Sequence, residues 1–155
     1  MVKKLLQKQG ILFSLITILI VAFDQLTKYL ILKFNPYFGY KHIKIILIKN
    51  TGAGFGILKN QTFFLGIISL IVAVTLIVYY KKIPKEKISQ ILFALFLGGV
   101  IGNLIDRFFR GYVIDFISFS FWPAFNIADS ALTIAVIVPL NVAVAFNLLS
   151  PTTNS

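Results

Sequence analysis

TFFLGIISLIVAVTLIVYY, residues 62–80, carries no charged side chain and is closed by Lys81, Lys82 and Pro84. As a helix it would be about 28 Å long, close to the hydrocarbon thickness of a bilayer. The rest of the 155-residue chain has the same character: 58% of it is hydrophobic, 13% is charged, and it holds 16 Phe. A soluble domain carries about 25% charged residues, and a soluble surface could not hide so much apolar area. The length suits one domain, residues 1–155, with the bilayer as its solvent.

Three further runs flank this one. Upstream, Lys3, Lys4 and Lys8 precede an uncharged stretch that resembles a signal peptide as far as Phe23. It has no small-residue cleavage site, however, and continues through Asp24 and Lys28 to Leu32, long enough to span. Downstream, Ile88 to Asp106 carries Gly98, Gly99 and Gly102, and Asp129 to Leu149 tolerates Pro139 and Asn141 as membrane helices do. The expected fold is an all-α membrane protein with four transmembrane helices at about 11–32, 62–80, 88–106 and 129–149. Both termini then lie on one side. Lys81, Lys82, Lys85 and Lys87, with the N-terminal lysines, mark that side as cytoplasmic. A dissenting signal is the first outer loop, which itself holds Lys33, Lys41, Lys44, Lys49 and Lys59.

In that loop His42 to Lys49 is strand-like and Asn50 to Gly56 is turn-rich, so a small β element on the outer face is expected. The second outer loop, Arg107 to about Ala128, has the aromatic cluster Phe119, Phe121, Trp122 and Phe125, which suits an interfacial belt. The absence of Cys removes disulfides, thiolate metal sites and a Cys nucleophile. A net charge of +10 in such a chain points to anionic headgroups and not to nucleic acid.

Of five acidic residues, Glu86 sits among lysines, while Asp24, Asp106, Asp115 and Asp129 all fall toward the outer face of this topology. Ionisable groups at membrane depth are costly and point to function. Each also has a plainer reading. Asp24 and Lys28 share a helix face as a neutralising pair; Asp106 beside Arg107 reads as a structural pair or helix-end device; Asp129 suits a helix N-terminus. Asp115, in Val-Ile-Asp-Phe, is the least easily explained by structure. Gly98 and Gly102 form a GxxxG step that reads first as close helix packing, with Gly99, Asn103 and Asp106 along one stripe. The single His42 lies in a loop with no partner motif, which argues against a Ser-His-Asp triad or a zinc site. Two aspartates sharing a proton can activate water against an amide with nothing else. A small proton-coupled transporter or channel is the alternative, with Asp24, Lys28, Asp106 and Arg107 lining a polar path; it requires charges at several depths.

Five strings in order resemble the bacterial lipoprotein signal peptidases, the signal peptidase II aspartic proteases: Asp24-Gln25-Leu26-Thr27-Lys28, Asn50-Thr51-Gly52-Ala53-Gly54-Phe55, residues 98–107 (GGVIGNLIDR), Val113-Ile114-Asp115-Phe116 and Phe125-Asn126-Ile127-Ala128-Asp129-Ser130. The resemblance implies that Asp115 and Asp129 are the catalytic dyad, with Asn103, Arg107 and Asn126 in support. It maps Asp24, Lys28 and Asn50 to positions that serve structure or substrate engagement, and Gly99 belongs with them. Gly54 and Val100 depart from the family's usual residues, and the loop between Asp115 and Asp129 is short for it. The implied fold is four membrane helices with an extracytoplasmic β cradle. The implied substrate is a diacylglyceryl-modified prolipoprotein, cut on the amino side of the lipidated cysteine by a monomer without cofactor or metal. The implied location is the bacterial cytoplasmic membrane, with the site toward the outer face and membrane lipid around it.

Overall fold

The computed structural model describes the backbone of residues 2–53 and 57–149 and the side chains of residues 8–53 and 57–139. Gly54 and Phe55 of the second motif, and the side chain of Asn141, lie outside these. Four helices and four strands follow in the order α1 (Val2–Phe34), β1 (Phe38–Tyr40), β2 (Ile43–Asn50), α2 (Thr62–Val78), α3 (Lys87–Phe109), β3 (Val113–Phe119), β4 (Trp122–Phe125) and α4 (Ile127–Leu149). Two of the helices, α1 from Lys8 onward and α3, are long and apolar enough to cross a membrane; α2 and the described part of α4, Ile127–Pro139, are shorter apolar helices.

The helix ends differ from the expected bounds for local reasons. The first helix runs to Phe34, where Asn35 enters the left-handed region at φ 41° and Pro36 cannot continue the ladder. The second stops at Val78, and a 3-10 turn at Tyr80–Lys82 follows ahead of Pro84. That turn is tied down: the Tyr80 hydroxyl donates to Gln90 Oε1 at 3.0 Å, and Gln90 Nε2 donates to the Pro84 carbonyl at 2.7 Å.

Helix α3 is the hub and packs on α1, α2 and α4. Its small face makes this possible. A methyl group on Gly98 would meet Ile20 Cβ at 2.8 Å, and one on Gly99 would meet the Ala128 carbonyl oxygen at 2.5 Å and Leu132 Cγ at 2.7 Å. At Gly102 it would meet Asp24 Oδ2 at 2.7 Å. The three glycines therefore let α1 and α4 approach from two sides, as the GxxxG reading requires. Gly99→Ala must push α4 away from α3, because its nearest obstacle is backbone. We expect a loss of about 1–3 kcal/mol, measured as a lowered thermal midpoint in detergent; an unchanged midpoint would contradict this packing.

A core of Phe13, Ala73, Ile83, Ala94, Leu97 and Val100 fills the bundle away from the sheet, while Ile31, Ile114 and Phe116 pack beneath it. Outward-facing side chains on α1, α2 and α4 are apolar and exposed, among them Ile11, Leu15, Phe23, Phe63, Ile71, Val74 and Ile134.

The sheet is antiparallel in the order β1-β2-β3-β4. The expected strand at 42–49 is β2. The second loop, whose aromatic residues are expected to suit an interfacial belt, forms the hairpin β3–β4, with Phe119 and Phe125 stacked at 5.9 Å. Between β2 and β3 the register shifts: Ile45 faces Ile117, yet Ile48 faces Asp115, so β2 holds one extra residue in a bulge. After the bulge, Ile48 and Asn50 share the sheet face of Asp115, and Lys49 turns to the other.

Candidate active site

The start of α4, the C-terminal half of α3 and the β2–β3 ladder meet at the sheet end of the bundle. Asn126 and Asp129 open α4 with a reciprocal cap. The Asp129 N–H donates to Asn126 Oδ1 at 2.9 Å, and the Asn126 N–H donates to Asp129 Oδ2 at 3.2 Å. The expected reading of Asp129 as a helix N-terminal charge is therefore met, but its other oxygen points elsewhere: Asp129 Oδ1 accepts from Asn103 Nδ2 at 2.7 Å.

Asp115 comes from the buried strand β3 and is 2% exposed. Its Oδ1 accepts from Asn126 Nδ2 at 2.8 Å, and its Oδ2 accepts from Asn50 Nδ2 at 2.9 Å. Asn50 is itself oriented by a local turn, its Oδ1 accepting the Gly52 N–H at 2.9 Å. Asn126 thus binds Asp115 through its amide nitrogen and Asp129 through its amide oxygen and backbone. The two carboxyl groups are tied to one residue, Asp115 to the Asn126 amide nitrogen and Asp129 to the Asn126 backbone N–H.

Beneath them lies a buried charge cluster. Lys28, Asp24 and Asp106 are all 0% exposed. The Lys28 ammonium spends its three N–H groups on Asp24 Oδ2 at 2.8 Å, Asp106 Oδ2 at 3.0 Å and Asn103 Oδ1 at 3.0 Å. With its oxygen held by Lys28 and also by Asn126 Nδ2 at 3.1 Å, Asn103 has to present its amide nitrogen to Asp129. Asp24 Oδ1 accepts the Ala128 N–H at 2.9 Å, which pins α4 to α1. Asp106 Oδ2 accepts the Ile114 N–H at 3.0 Å, which pins β3 to α3.

The expected pairing of Asp106 with Arg107 is corrected here. Neighbours on a helix point about 100° apart, and Asp106 pairs with Lys28 and with Arg110, one turn on. Arg107 turns to the cavity wall, where it reaches Ser69 Oγ at 3.4 Å. Arg110 and Gln25 were not singled out in the sequence, yet both belong to the cluster: Arg110 Nη1 donates to Gln25 Oε1 at 2.9 Å, and Gln25 Nε2 donates to Asp24 Oδ2 at 3.1 Å and Asp106 Oδ1 at 3.2 Å. The i, i+4 spacing of Asp106 and Arg110 is the signal that could have found Arg110.

A cavity of about 510 Å³ opens over the site. Asn50, Asn103, Arg107 and Asp129 are among its polar lining residues, and Val113, Trp122, Phe125, Leu132 and Ile134 among its apolar ones. Asp115 is not a lining residue; it adjoins the cavity through Asn50, which binds it and lines the wall. Burial first, and the nearby Asp129 charge second, push the Asp115 carboxyl up to about 7. A carboxyl group that keeps its proton near neutrality beside a second carboxyl is the arrangement for acid and base work by one pair. Of the residues expected to matter, Asp24, Lys28, Asn50, Asn103, Asp115, Asn126 and Asp129 form one hydrogen-bonded set, Gly99 supports it from behind Ala128, and Arg107 faces the same cavity.

The model of the family described as Signal peptidase (SPase) II matches residues 16–146. The lipoprotein signal peptidase of Caldanaerobacter subterraneus subsp. tengcongensis is 44% identical over 131 residues, covering 78% of this chain and 90% of that one. Its counterpart in Francisella tularensis subsp. novicida is 43% identical over 143 residues, covering 81% and 87%. Among solved structures, a bacterial membrane enzyme determined by the in meso method at 2.3 Å superposes with a TM-score of 0.79 at 32% identity, covering 92% of this chain and 93% of that one.

Proposed function

The chain belongs to the signal peptidase II family, and from that premise we propose that it is a membrane aspartic endopeptidase removing signal peptides from prolipoproteins. The substrate is a precursor whose cysteine already bears a diacylglyceryl group, and the cut falls on the amino side of that cysteine. The observation that supports the reading is Asn126, which binds the carboxyl groups of both Asp115 and Asp129 beside a cavity that Asp129 lines.

In the mechanism, one carboxylate of the pair takes a proton from water while the other, protonated, donates to the scissile carbonyl. The resulting tetrahedral intermediate collapses with proton transfer to the leaving amine, and no covalent enzyme intermediate forms. Asn50, Asn103 and Asn126 keep both carboxyl groups aimed during the exchange, and Asn103 takes its own orientation from Lys28. The apolar wall at Trp122, Phe125 and Leu132 suits a lipidated substrate. Four crossings of the bacterial cytoplasmic membrane are supported by the exposed apolar side chains on α1, α2 and α4. Both termini are then cytoplasmic and the sheet end faces outward, in a single domain acting as a monomer among membrane lipids. The transporter or channel alternative draws no support, since Asp24, Lys28, Asp106, Arg107, Asp115 and Asp129 gather at one end instead of following a path.

The test is cleavage of a diacylglyceryl-modified precursor and of its unlipidated form by the purified chain in lipid, read by product mass. Only the lipidated form is expected to be cut; no cleavage of either overturns the proposal. The pH profile carries its own sign. The pair works with one proton, and Asp115 holds its proton up to about pH 7. We therefore expect kcat/KM to fall as pH rises through an apparent value near 7, a value belonging to the pair. Activity undiminished at pH 9 would contradict it.

A further inference from the structure

Between Asp24 and Glu86 the chain has no acidic residue, but it has nine lysines. Five of them, Lys33, Lys41, Lys44, Lys49 and Lys59, are exposed at the sheet end. Nothing exposed there balances them. Asp24, Asp106 and Asp115 are buried, Asp129 is half-buried and engaged in the α4 cap, and the one exposed acid, Glu86, is at the other end of the bundle. The lysines are interleaved with aromatic rings: Lys33 Nζ lies 5.4 Å from the Phe34 ring centroid, Lys41 Nζ 5.3 Å from Tyr40 and Lys49 Nζ 4.9 Å from Tyr112. Phe34, Tyr37, Phe38 and Tyr40 are all more than 60% exposed.

We infer that this face of the β1–β2 hairpin and the end of α1 docks on anionic phospholipid headgroups. Aromatic side chains with one apolar and one polar side favour the interface between acyl chains and water, and lysines close to an anionic membrane surface are each attracted to it. An uncompensated row of five cations beside such rings is complementary to that surface in both charge and polarity. The same lysines dissent from the side rule that orients the chain, and headgroup binding gives them a role that orientation does not. The inference rests on the membrane placement proposed above.

The test is electron spin resonance of the full chain in phosphatidylcholine vesicles with a trace of spin-labelled phosphatidylglycerol or spin-labelled phosphatidylcholine. We expect the motionally restricted fraction to favour phosphatidylglycerol about three- to fivefold. That preference should fall at least twofold in Lys33→Gln/Lys41→Gln/Lys44→Gln/Lys49→Gln, and should weaken in the unaltered chain at about 0.5 M salt. Restricted lipid with the same preference in variant and parent overturns this inference alone; no restricted lipid of either kind overturns the membrane placement with it. If the variant instead raises KM only for precursors with acidic residues after the cysteine, in neutral vesicles and with lipid preference unchanged, the surface belongs to the precursor and the inference fails.

Discussion

Asp115→Asn and Asp129→Asn are each expected to abolish cleavage of a lipidated precursor, with losses of about a thousandfold or more. Each removes one half of a proton exchange in which both halves are required, and general acid or base catalysis is worth about 10²–10⁴. The two replacements are nearly isosteric but not neutral to their surroundings. Asp115 accepts from two amide nitrogens, and Asp129 accepts from an amide nitrogen and a backbone N–H. An asparagine at either place must direct an NH2 toward one of those donors, so about 1–3 kcal/mol of stability is expected to go with the activity. A thermal melt beside the turnover assay separates the two effects, because a modest shift in midpoint cannot account for a thousandfold loss at the assay temperature. Turnover within tenfold of the parent in either variant would remove that residue from the pair.

Lys28→Met is expected to be the most destabilising substitution in the chain outside the dyad. It leaves Asp24 and Asp106 fully buried, Asp106 still paired with Arg110 and Asp24 with no cation among the described residues. Breaking a buried ion pair by removing one partner costs about 3–5 kcal/mol, whereas replacing the whole set by neutral groups is often tolerated. The combined variant Asp24→Asn/Lys28→Met/Asp106→Asn should therefore be more stable than Lys28→Met alone, by unfolding midpoint in detergent. Lys28→Met should also lower kcat in the fraction that folds, since Asn103 loses the contact that fixes which end of its amide meets Asp129. Unchanged stability of Lys28→Met, or no recovery in the triple variant, would show that the cluster is not held by charge balance.

Much of this was legible in the sequence, because the solvent for the fold is a bilayer. Charge-free runs stand out against lysines, and the few acids in them stand out further. The Asp24–Lys28 contact followed from spacing alone. What escaped were features that depend on the far side of an element. Val113-Ile114-Asp115-Phe116-Ile117 shows no alternation of polar and apolar residues, since one face of β3 packs on Ile31 and the other faces the site. The hairpin it begins is therefore not legible from periodicity. Adjacency in sequence suggested Arg107 as the partner of Asp106, where helical geometry selects Arg110. Gln25, beside Asp24, carried no pattern of its own and was recognisable only once α3 lay against it.

The extra residue between Ile45 and Ile48 decides the parity of everything after it in β2. In an unbroken ladder Lys49 would stand on the Asp115 face and Asn50 would look away. A cation there would keep the acid permanently ionised, and a proton needed near neutrality would never be retained. Chain length in this strand is thus a chemical variable: one residue inserted between Ile48 and Lys49, in a ladder that takes up no second bulge, would silence the enzyme while leaving every named side chain in the gene.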